Sequence, residues 1–110
     1  MATSYSVLGQ ANPSATTETT LVTASGTTGT VVSSVVICNQ ASTQATYRIA
    51  VRPSAQGTTT APNYIVYGAT VNANDSTILT IGLTLASGDK ITVYASSANL
   101  SFSAFGSTIS

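Results

Sequence analysis

Apolar and polar residues alternate through most of this chain. The alternation is clearest over residues 75–95, DSTILTIGLTLASGDKITVYA. Leu79, Ile81, Leu83 and Leu85 share one parity, and Ile78, Thr80, Gly82 and Thr84 share the other. Successive side chains of a strand point to opposite faces, so this spacing predicts a strand with one continuous apolar face. Ser87-Gly88-Asp89 supplies a reversal, because Gly tolerates positive φ and Asp hydrogen-bonds its own backbone in turns. Ile91, Val93 and Ala95 then point inward, with Lys90, Thr92 and Tyr94 outward. The stretch predicts a β-hairpin with one oily face and one hydroxyl-rich face, suited to one wall of a sandwich.

The same pattern recurs upstream and downstream. Residues 19–24 read as a short strand, and 25–29, with two glycines, as a turn. Over residues 30–39, Val31, Ser33, Val35 and Ile37 fall on one face and Val32, Ser34, Val36 and Cys38 on the other. Both faces are mostly apolar, which predicts a central or doubly covered strand. Residues 46–52 alternate Tyr47, Ile49 and Val51 against Thr46, Arg48, Ala50 and Arg52, and Pro53 ends the run. Residues 63–71 set Ile65, Tyr67, Ala69 and Val71 opposite Tyr64, Val66 and Gly68. Residues 98–106 form the last expected strand. No amphipathic helix appears. Seven to eight short strands with regular turn signals predict an all-β, antiparallel β-sandwich, jelly-roll or Ig-like. Residues 1–18 read as an N-terminal arm or a short strand, and residues 19–110 as a single β-sandwich domain.

Composition changes this picture in one respect. Charged residues make up 5% of the 110 residues, and the formal net charge is zero, where soluble domains average about 25% charged. Ser and Thr supply the polarity instead. Low net charge removes the repulsion that keeps monomers apart, so much of the surface is expected to be covered in a homo-oligomer or larger assembly. Three Lys and Arg are too few for a nucleic-acid partner or a polybasic membrane anchor. Cys38 is alone and is expected to be a small buried hydrophobe. Residues 1–10 lack the basic and apolar regions of a signal peptide, so synthesis in a cytoplasm without export is expected.

Candidate chemistry is sparse. The chain has no His, which removes the commonest general base and metal ligand. Asp75 and Asp89 sit at turns, where Asp is common for local hydrogen bonding. Gly26 and Gly29 lack the lysine and helix of a phosphate-binding loop. No catalytic, cofactor-binding or metal site is expected, and no cofactor. The candidate interface residues are Arg48, Arg52, Tyr64, Tyr67 and Tyr94. The two arginines are either solvated charges or a pair gripping a neighbouring subunit's carboxylate. Some tyrosines must fill the core, because there are two Phe and no Trp.

VVSSVVICNQAS and GLTLASGDKITVYASSANLSFSAFG resemble segments of small virion structural proteins of tailed phages, particularly those of cyanophages. The shared pattern has a hydrophobic strand ending in Cys38-Asn39, then the strand Tyr47-Arg48-Ile49-Ala50-Val51. A segment from Leu85 through Gly88-Asp89 to Ala95 follows, and last a strand from Phe102 through Phe105-Gly106 to Ile109. Ser107-Thr108 stands where many members carry an acidic residue after the last glycine. The resemblance implies a virion location and a capsid decoration (cement) role. It implies the major capsid protein or other virion proteins as partners and a trimer as the oligomer, with no nucleic-acid or membrane partner. Two alternatives stand beside it: a tail, neck or fibre accessory component, and a carbohydrate-binding β-sandwich module with Tyr64, Tyr67 or Tyr94 stacking on sugar.

Overall fold

The computed structural model describes residues 2–110. Among them eight strands form: β1 (Thr3–Ala11), β2 (Thr19–Thr23), β3 (Gly29–Asn39), β4 (Ala45–Arg52), β5 (Tyr64–Val71), β6 (Ser76–Leu85), β7 (Lys90–Ala95) and β8 (Leu100–Ile109). They make two four-stranded antiparallel sheets, ordered β1-β8-β3-β6 and β2-β7-β4-β5. The pairing is nested: β4 with β5, β3 with β6, β2 with β7, β1 with β8. That is one long antiparallel ribbon rolled into two layers, the jelly-roll member of the sandwich class. An Ig-like arrangement is excluded, because β4 and β5 are the only consecutive strands that share a sheet.

The strand pairing departs from expectation. Residues 75–95 do not form a hairpin: β6 pairs with β3, while β7 pairs with β2 and β4 in the opposite sheet. The turn between them is a corner between layers. Asp89 holds it, its carboxylate accepting from Ala86 N–H at 3.0 Å and Ser54 N–H at 2.9 Å. The apolar faces of both arms still point inward, so the alternation was correct and only the partner differed. Within residues 1–18, Thr3–Ala11 is the edge strand β1, in register with β8 from Thr3↔Ile109 to Ala11↔Phe102.

The core lies between the sheets. Phe102, Ile37, Ile49, Leu85 and Ile91 are its largest fully buried side chains. Tyr47 crosses from β4 to meet Phe102 edge-on, centroids 6.1 Å apart, and burial raises its phenol pKa. Asn39 is the one polar side chain among the largest fully buried ones. Its Nδ2 donates to the carbonyls of Thr43, Val71 and Asn72 at 2.9, 3.2 and 3.2 Å. Its Oδ1 accepts from Ala41 N–H at 3.0 Å. One amide thus joins the end of β3 to the end of β5 in the other sheet.

A row of bulges crosses the first sheet. Register slips between Val7 and Gly9 of β1, and between Val32 and Ser34 of β3 against both of its neighbours. An extra residue reverses parity. Val32 and Val35, expected on opposite faces, are therefore both fully buried. Past the bulge Cys38 faces outward and is half-buried, rather than being a core residue. Gly9 permits β1 to close on β2, since a Cβ there would collide with the Leu21 carbonyl oxygen.

Candidate functional site

The candidate site is the outer face of the β2-β7-β4-β5 sheet. Arg48, Ala50 and Arg52 alternate outward on β4 and are in register with Tyr94, Thr92 and Lys90 of β7. All three Lys and Arg of the chain thus share one face. Cross-strand neighbours on one face sit about 5 Å apart, close enough for their side chains to touch.

Two bulges in β5 complete the cluster. Register slips between Tyr47↔Ala69 and Arg48↔Tyr67, leaving Gly68 extra, and again between Ile49↔Val66 and Ala50↔Tyr64, leaving Ile65 extra. Gly68 takes φ 78°, a left-handed conformation that glycine adopts without the Cβ penalty. Strict alternation sets Tyr64 and Tyr67 on opposite faces. The extra residue Ile65 turns both outward, and their rings meet edge-on at 5.0 Å. The bulges re-aim side chains here, as bulges beside functional sites commonly do.

The Arg48 guanidinium lies between two rings, 4.3 Å from the centroid of Tyr67 and 4.4 Å from that of Tyr94. Each contact is worth about 0.5–1 kcal/mol at an exposed site. No acceptor among the described residues meets this guanidinium, so its donors are unpaired. Arg52 lies farther along β4 on the same face, and its Nε is buried with no hydrogen-bond partner among the described residues. Glu18 is the carboxylate of this face. Its Oε2 accepts from the hydroxyls of Thr92 at 2.7 Å and Thr59 at 2.5 Å.

Of the five residues singled out in the sequence, Arg48, Tyr64, Tyr67 and Tyr94 therefore form one contact cluster, and Arg52 shares their face. Lys90 and Glu18 complete it and were not singled out. Lys90 was legible as outward-facing; its place beside Arg52 needed the β4–β7 register. The other two carboxylates are engaged locally: Asp89 caps its corner, and Asp75 Oδ1 accepts from Ser76 N–H at 2.8 Å.

The opposite outer face differs in kind. None of β1, β3, β6 and β8 contains an Asp, Glu, Lys or Arg. Tyr5, Val7 and Ile78 are 83%, 52% and 67% exposed there. Beside the bulge row is an open depression of about 430 Å³ lined by Tyr5, Val31, Ser33 and Phe105 among others. Comparison with protein-family models, with curated proteins and with solved structures finds no match to this chain.

Proposed function

We propose that this chain is a phage virion structural protein, a capsid decoration (cement) protein that seats its charge-free sheet on the shell. The observation that carries this reading is the outer face of β1-β8-β3-β6, which has no charged residue in any strand and three well-exposed large apolar side chains. Such a face loses little by desolvation when covered, because no ion must be stripped of water. Apolar area buried there contributes about 25 cal/mol per Å² before the losses of association.

The edges of this sheet support the same reading. β1 and β6 carry neither charge nor proline, the devices that commonly stop a free edge from pairing. Contact with copies of itself, in a trimer, and with the major capsid protein would cover them. The jelly-roll topology does not choose the role, since capsid and lectin domains share it. The resemblance in the β3, β4, β6–β7 and β8 segments favours the virion.

The test is the copy number of this chain in purified virions, by quantitative mass spectrometry against the major capsid protein. A ratio approaching one is expected. A handful of copies per particle would move the protein to the tail, neck or fibre, and absence from virions would end the reading.

A further inference from the structure

We propose that the outer face of β2-β7-β4-β5 binds an acidic polysaccharide, with the Arg48 guanidinium taking a sugar carboxylate between the rings of Tyr67 and Tyr94. This second surface does not depend on where the protein sits in a particle.

Arg48 is already in place for the task. The two rings, at 4.3 and 4.4 Å, pack against the guanidinium, so less side-chain freedom remains to be lost on binding. A guanidinium carries its N–H donors around its edge, in the fork that matches a carboxylate bidentately. Those donors have no acceptor among the described residues. Tyr67 is 66% exposed, so its ring can still pack against the C–H faces of a sugar.

Charge and spacing point to a polymer. A chain of zero net charge places all three of its cations on this face. Its carboxylate there, Glu18, is held by two threonine hydroxyls. The Arg52–Lys90 pair lies four residues along β4 from Arg48, about 13 Å at strand rise. A single small carboxylate cannot span that distance, whereas acidic units repeating along a chain can, passing over Glu18 and over Ala50 and Thr92, which are buried between the two ends.

Two other polymers fit less well. A peptide usually docks on a sandwich by adding a strand at an edge, and β5, the edge beside this cluster, is broken by bulges at Ile65 and Gly68. A nucleic-acid strand carries a phosphate every few ångströms and needs a denser run of cations than three.

Affinity electrophoresis of the full chain tests the proposal, in gels containing polygalacturonate, dextran, poly-glutamate or oligothymidylate. Retardation is expected with polygalacturonate and not with dextran. Arg48→Ala is expected to weaken it about tenfold to a hundredfold, and Arg48→Lys nearly as much, because charge without the planar fork is insufficient. Tyr67→Ala should weaken it roughly threefold to tenfold. Tyr5→Ala, which removes a still more exposed tyrosine from the opposite face, should leave it unchanged. The proposal is overturned by no retardation in polygalacturonate, by equal retardation in poly-glutamate or oligothymidylate, or by an Arg48→Ala variant that binds like the parent chain.

Discussion

The two outer faces of this sandwich lie either side of one core and differ in charge. The strands of the β1-β8-β3-β6 face present hydroxyls, aliphatic groups and the rings of Tyr5 and Phe105, with no charged residue. The β2-β7-β4-β5 face holds Arg48, Arg52, Lys90 and three tyrosines around them. Inward-facing positions had to be apolar in both sheets, so both sets of strands obey the same rule there. Outward positions were free to differ. A face without charge can be buried against another protein at small desolvation cost; a face with a stacked, unpaired guanidinium favours an anionic partner. The difference teaches that the two faces suit two kinds of contact, and that both are built on backbone irregularities rather than on strict alternation.

That comparison breaks most visibly if the shared core is removed. Phe102→Ala should destabilise by about 3–5 kcal/mol, because Phe102 is fully buried and its ring meets Tyr47 of the facing sheet. Urea unfolding should remain a single transition at a lower midpoint. A biphasic transition would show that the two faces do not rest on one cooperative unit.

Asn39→Ala is the next largest. It strands the carbonyls of Thr43, Val71 and Asn72 and the Ala41 N–H, a loss of about 1–3 kcal/mol. Hydrogen exchange should quicken at the ends of both β3 and β5. Faster exchange at β3 alone would mean that the amide does not couple the sheets.

Gly68→Ala acts on one face only. A Cβ there meets nothing within 4 Å, so the expected loss, about 1–2 kcal/mol, is the backbone penalty of φ 78°. Nuclear Overhauser contacts between the Tyr64 and Tyr67 rings should weaken while those of Tyr5 stay. Unchanged Tyr64–Tyr67 contacts would mean that the bulge does not aim the rings.

Ile78→Lys should have the smallest effect on the isolated chain, within about 0.5 kcal/mol, since the side chain is largely exposed. If this sheet seats on a shell as proposed, its effect on assembly should be large, with incorporation into particles lost. An Ile78→Lys variant incorporated like the parent chain would remove this sheet face from any docking role.

How much of this was legible in the sequence varies with the element. β4 was read residue for residue, with Tyr47, Ile49 and Val51 inward and Arg48 and Arg52 outward, because no extra residue lies within that strand. β6 and β7 were equally clear as faces, and misleading as partners. Parity reports which way a side chain points, whereas pairing is chosen by what packs opposite. β3 departs from its alternation past Ser33, and β5 twice, at Gly68 and at Ile65, since a bulge leaves the composition of a strand unchanged while reversing the faces beyond it. Gly68 was the available signal, a glycine inside a strand pattern being a common bulge marker.

The sequence by itself determined an all-β sandwich, most of its strands and turns, and a surface nearly without charge. These follow from local periodicity and composition, which no folding partner alters. The tertiary structure decided the jelly-roll order over an Ig-like one. It also decided the gathering of Arg48, Tyr64, Tyr67 and Tyr94 and the separation of all cations from the charge-free sheet. Those depend on register between strands distant in the chain, and register is settled only when the whole core closes.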